Sequence, residues 1–144
     1  MIILKQTKGF TILEMIIAII IIGILATLAI NNYSATREKI LDNQAIANLK
    51  LIRTAEKSYY LDIGTYYPVS YGDIVSDIAL INQNLKVFLP AGSNRSWNYE
   101  VWGKSGYDQC YQATRNGGNG RIWILYYGIE EPYLRSYSGC SSIE

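Results

Sequence analysis

Glu14 is the side chain in this sequence with the most unusual chemistry open to it. It is the only charge between Lys8 and Arg37, and it stands inside the apolar run from Phe10 to Ile30. An ionised carboxylate at bilayer depth costs about 2.5–3.5 kcal/mol on insertion scales, so an acid placed there needs a partner cation or a function. Snorkelling from the end of a helix is the plainer alternative. The rest of the reactive inventory is sparse. The chain has no histidine, and no phosphate-binding loop, Ser/His/Asp set or Cys/His cluster is readable in it. Glu130 and Glu131 precede Pro132 in a segment of loop character, where solvated acids are expected. Asp108, Asn116 and Asn119 are scattered oxygen donors that match no calcium-loop spacing. No metal or cofactor is expected, and the reading is a protein without enzymatic activity.

Cys110 and Cys140 are the only cysteines. A disulfide in an oxidising compartment is the economical reading, with free or metal-linked thiols as the alternative. By the loop-entropy model a bridge between them would contribute roughly 3.5–4 kcal/mol.

The element that must hold Glu14 follows from the run itself. As a helix rising about 1.5 Å per residue, Phe10 to Ile30 spans roughly 30 Å, the hydrocarbon thickness of a bilayer. Lys5 and Lys8 precede it, so the bias of basic residues toward the cytoplasm puts the N-terminus inside and the remainder outside. Two processing schemes fit such a segment. In one it is a secretory signal, cut at the small-x-small site Thr27-Leu28-Ala29 to release a soluble chain from Ile30. That scheme leaves Glu14 without a purpose.

The other scheme rests on a resemblance. Lys8-Gly9-Phe10-Thr11-Ile12-Leu13-Glu14-Met15, followed by Gly23-Ile24-Leu25-Ala26-Thr27-Leu28-Ala29-Ile30, resembles the N-terminal segment of type IV pilins and pseudopilins. The resemblance implies that a prepilin peptidase cuts after Gly9 and methylates the new amino terminus on Phe10, so the apolar helix is retained. Glu14 then pairs with that amine during assembly. An acid and an amine buried together offset each other's desolvation. Gly23, with Ala26 and Thr27, supplies small residues that let neighbouring helices approach closely in lipid. The family's usual proline eight residues after this glycine is replaced by Asn31. Asparagine is a poor helix former but keeps its backbone donor, so local melting on assembly is less assured. Many pilins close their C-terminal region with a disulfide, which the resemblance carries to Cys110 and Cys140.

Beyond the run, Leu41, Ala45, Leu49, Ile52 and Tyr59 are spaced by four, four, three and seven, on one face of a continuing helix. The helix is predicted to reach Leu61, roughly 75–80 Å from Phe10. Its other face carries Arg37, Glu38, Asp42, Lys50, Arg53 and Lys57, read as mostly solvated. Gly64 and Pro68 mark its end, in a junction that also resembles the family. A short helix is predicted near Asp73 to Leu80 and a loop at Pro90 to Asn94. Trp97 to Trp102, Tyr107 to Ala113 and Arg121 to Tyr127 have strand chemistry, and Asn116 to Gly120 suits a tight hairpin.

The predicted fold class is α+β: a long N-terminal helix, transmembrane in its first half, packed by its second half on a small antiparallel sheet of three or four strands, as in pilins. The divisions are a leader over 1–9, the membrane and assembly half of the helix over 10–30, its outer half over 31–61, a connecting region over 62–95, and a sheet with a disulfide-bounded C-terminal region over 96–144. Of the thirteen tyrosines, all but Tyr33 lie at or beyond Tyr59, too many for one small core. Removing Lys5 and Lys8 with the leader takes thirteen basic residues to eleven against twelve acidic ones, so nucleic-acid binding is weakly supported. It would need a local patch such as Arg95 with Lys104, or Arg115 with Arg121.

The resemblance implies a structural subunit of a type IV pilus-like filament, a helical homopolymer built from single-pass precursors in the bacterial inner membrane. Its partners would be other copies of itself, the prepilin peptidase and an inner-membrane assembly platform. Its destination would be an extracellular filament or a periplasmic pseudopilus. A pseudopilin of type II secretion or DNA uptake is the alternative within the family. A minor tip adhesin or other surface-binding protein is the alternative from another class.

Overall fold

The computed structural model describes residues 9–103, 109–117, 120–135 and 139–140. Lys5, Lys8, Lys104, Tyr107, Asp108 and Asn119, all named above, lie outside the described residues. The chain divides into two units, Met1–Ile40 and Leu41–Glu144.

Helix α1 runs from Ile12 to Ile63. It continues without interruption through positions 31 and 32, as expected of asparagines that keep their backbone donors. In the first unit its apolar side chains are exposed along their whole length, from Phe10 at 78% to Ile30 at 68%. It is long and apolar enough to cross a membrane.

In the second unit the apolar stripe of α1 is covered. Ala45, Leu49 and Ile52 are fully buried against Trp97, Tyr99, Val101, Tyr111, Ala113 and Leu125. The sheet that supplies these residues has five antiparallel strands in sequence order: β1 (Ile74–Val75), β2 (Trp97–Trp102), β3 (Cys110–Arg115), β4 (Ile122–Tyr126) and β5 (Tyr133–Arg135). The register sets Tyr99 opposite Ala113, Val101 opposite Tyr111, and Tyr111 opposite Leu125, so the alternating side chains of three strands form one face toward α1. The other face is not left to water. Cys110, Ile124 and Cys140 form a second buried cluster there with Trp102, Ile122, Tyr126 and Tyr133 around it. Residues 110–113 of β3 are consequently buried on both faces.

The sheet has more strands than the three or four predicted, because β1 and β5 are edge strands of two and three residues, too short to show a period of their own. The second helix is displaced from its predicted place. Residues 74 and 75 pair with Trp102 and Val101, and helix α2 runs from Ile78 to Leu85. Asp77 sets the start: its Oδ1 accepts the N–H of Ala79 at 2.8 Å as an N-cap. Residues 116–120 join β3 to β4, with Gly117 and Gly120 both at φ 64° and the Arg115 N–H donating to the Arg121 carbonyl at 2.9 Å.

Candidate functional site

At the start of α1, Thr11 and Glu14 satisfy one another. The Thr11 N–H and hydroxyl both donate to Glu14 Oε2 at 2.9 Å, and the Glu14 N–H donates to Thr11 Oγ1 at 3.2 Å. This is a reciprocal capping box, Thr-x-x-Glu, which satisfies orphan donors of the first turn. The carboxylate also lies at the positive end of the helix dipole. The acid therefore has an intrachain reason for its position, beyond that of a lone intramembrane charge. The signal was present in the spacing of Thr11 and Glu14. Gly9 and Phe10 precede the box and are exposed.

Farther along, a Cβ built on Gly23 would meet nothing within 4 Å. Among the described residues no contact requires a glycine there. Thr27 turns its hydroxyl back onto the Ile24 carbonyl at 2.8 Å, so its polarity is satisfied inside its own helix.

In the second unit, Cys110 and Cys140 are bonded, with a sequence separation of 30, and both are fully buried. Gln112 fixes the approach of the C-terminal segment: its Oε1 accepts the Cys140 N–H at 2.9 Å, and its Nε2 donates to Glu100 Oε2 and Thr114 Oγ1 at 3.2 and 3.1 Å. Of the scattered oxygen donors, Asn116 lies in the exposed turn and donates through Nδ2 to the Arg95 carbonyl at 3.2 Å.

The charged face of α1 departs from the solvated surface predicted for it. Asp42 accepts from Arg121 Nη2 at 2.5 Å and from Trp123 Nε1 at 3.1 Å. Lys50 pairs with Glu131 at 2.6 Å, and that acid stays exposed in the turn as expected, at 74%. Arg53 donates through Nη1 to the Ile129 carbonyl, and Lys57 lies 5.8 Å from the centre of the Tyr127 ring. Together they tie the helix to β4 and to the turn that follows it.

Glu56 is a residue that the sequence did not single out. It is fully buried, its Oε2 accepts the Tyr67 N–H at 3.0 Å, and its Oε1 has no partner among the described residues. Burial pushes its carboxyl up to about 8, against the lowering effect of the Tyr67 N–H. Its signal lay in the seven-residue step from Ile52 to Tyr59, since position 56 falls on the same helix face.

A family model described as the prokaryotic N-terminal methylation motif matches residues 4–30. The chain is similar to the type II secretion system core protein G of Pectobacterium carotovorum subsp. carotovorum. The two are 32% identical over 124 residues, covering 85% of this chain and 76% of that protein. Its likeness to the type II secretion system core protein G of Aeromonas hydrophila is 26% over 127 residues, covering 88% and 85% of the two chains. It is also similar to the type IV major pilin protein PilA of Myxococcus xanthus (strain DK1622), 32% identical over 101 residues, which cover 70% of this chain and 40% of that protein. No solved structure matches.

Proposed function

This chain belongs to the family of type IV pilins and type II secretion pseudopilins, and from that premise we propose that it is cut after Gly9, methylated on the new amino terminus at Phe10, and polymerised through its N-terminal helix. It is a pilin-like filament subunit. The observation that carries the processing and assembly reading is the match of residues 4–30 to the prokaryotic N-terminal methylation motif. A cut after Gly9 puts a cationic amine on Phe10, beside the helix end that holds the Glu14 carboxylate. In an apolar bundle of helices that carboxylate offsets the burial of an amine, its own or a neighbour's.

Gly23, which no contact among the described residues requires, then serves close approach between helices of different copies. Before assembly the helix anchors the precursor in the inner membrane with its N-terminus in the cytoplasm. A prepilin peptidase and an inner-membrane assembly platform are its processing and assembly partners. Contacts of heterologous type between copies give an open helical filament rather than a ring.

A second reading, the periplasmic pseudopilus of type II secretion, is favoured by coverage. The Pectobacterium core protein G is matched over 76% of its length, the Myxococcus pilin over 40%. Both readings share the same test. Removing one partner of a buried charge pair costs about 3–5 kcal/mol, so Glu14→Ala is expected to cut filament yield about tenfold or more while membrane insertion persists. Unchanged yield would contradict the assembly role.

A further inference from the structure

Glu56 plays no part in the filament reading, and it sits where Tyr67 joins α1 to α2. Its Oε2 holds the Tyr67 backbone N–H at 3.0 Å, and its Oε1 is buried without a partner among the described residues. The Tyr67 ring packs edge-on against Tyr59 with centroids 5.8 Å apart, and the Tyr67 hydroxyl accepts from Asn84 Nδ2 at 3.2 Å. Tyr67, four residues after the end of α1 at Ile63, thus ties α1 to α2. Tyr59 and Asn84 also line a groove between those helices, of about 650 Å³, whose walls include Leu51, Ser58, Asp62 and Lys86.

Burial of a carboxyl with one oxygen unsatisfied favours its protonated form, and here that outweighs the Tyr67 N–H, which favours the ionised one. We infer that Glu56 is a proton-operated latch: protonated, it holds Tyr67 against α1; ionised, it is drawn toward water, releases Tyr67, and loosens the two groove walls that Tyr67 joins.

The groups around it leave the change of charge to Glu56. Glu56 acts electrostatically on Tyr67 and Tyr111; from α1, Tyr59 also acts on Tyr67, and Arg53, whose guanidinium donates to the Ile129 carbonyl, acts on Tyr111. Tyr66 of the junction and Tyr127, beyond β4, act on Tyr111 of β3 in turn. Asp77, the N-cap of α2, acts on Tyr67. Burial pushes the Tyr67 and Tyr111 hydroxyls upward, so both stay neutral where Glu56 titrates. The Glu56 carboxyl, raised to about 8, changes charge close to neutrality.

The latch stands independently of the filament reading, and its test uses the full chain in detergent micelles. The Glu56 carboxyl is followed by carbon NMR, and amide exchange at Tyr67 is compared with that at Val101 and Ala113. The carboxyl should titrate near neutrality or above. Between about pH 6 and pH 9, Tyr67 protection, corrected for base catalysis, should fall about tenfold or more, while protection of the two strand amides stays constant. Glu56→Gln should keep Tyr67 protected at both pH values. An ordinary carboxylate titration, pH-independent protection of Tyr67, or an equal loss in Glu56→Gln would overturn the latch. Should Glu56→Gln fail to fold, the wild-type titration and Tyr67 exchange decide the matter alone.

Discussion

Glu14 finds its donors three residues away on Thr11, whereas Glu56 finds one donor in Tyr67, eleven residues on, and leaves an oxygen unsatisfied. That difference makes Glu56 the residue whose proton is coupled to folding. Its carboxyl is raised in the folded state, so the protonated form stabilises the fold fully below the unfolded value. The contribution is lost as pH rises toward about 8 and changes no further above it. A tenfold change in proton affinity corresponds to about 1.4 kcal/mol, so the loss amounts to a few kcal/mol. Chemical denaturation of the wild type and of Glu56→Gln, at about pH 5 and about pH 9, should show the wild type losing more stability than the variant on going up. Equal losses would show that Glu56 is not buried as described. The sequence displayed Glu14 because nothing charged lies near it. It concealed Glu56, because a regular apolar stripe masks a single polar position within it. It also concealed the ties of Asp42, Lys50 and Arg53, whose partners lie 79, 81 and 76 residues further along the chain.

Among the elements, α1 and β2 were legible because each carries a long and regular period, 3.6 in the helix and two in the strand. β1 and β5 were not, because strands so short owe their existence to pairing with a neighbour rather than to propensity. The displacement of α2 has the same origin. Two residues predicted as helix were claimed by the edge of the sheet, and Asp77 then capped a later start. The junction between β1 and β2 depends on Gly103. Its N–H donates to the Asp73 carbonyl and its own carbonyl accepts from Gly72, each at 2.8 Å. A Cβ there would come within 2.6 Å of the Ser70 carbonyl oxygen and 3.0 Å of that of Pro68. Backbone oxygens cannot turn aside as a flexible side chain can. Gly103→Ala should therefore cost about 1–3 kcal/mol, the usual range for overpacking, and weaken protection of the Gly103 and Gly72 amides first. Thermal melting and amide exchange would check it, and wild-type stability would mean that the β1 edge yields freely.

The whole molecule joins an N-terminal helix with an exposed apolar surface to a unit whose sheet is covered by α1 and α2 on one face and carries the buried cluster around the Cys110–Cys140 disulfide on the other. That cluster was legible only in part. The cysteines suggested a bridge, but neither its burial nor the seat of Cys140 on Gln112 could be read from spacing. Closing a loop of this length contributes roughly 3.5 kcal/mol in the loop-entropy model, so replacing both cysteines with alanine should lower stability by about 3 kcal/mol or more. Guanidinium denaturation of that double variant measures it, and a loss near zero would mean that packing alone seats the segment. Processing after Gly9 and retention as a filament subunit can be read from the mass of the N-terminal peptide of the native protein, taken separately from sheared extracellular material and from membranes. The peptide should begin at N-methylated Phe10, found in the sheared material for a pilus or with the cell envelope for a pseudopilus. A soluble chain beginning at Ile30, or an uncut chain still carrying Lys5 and Lys8, would contradict it.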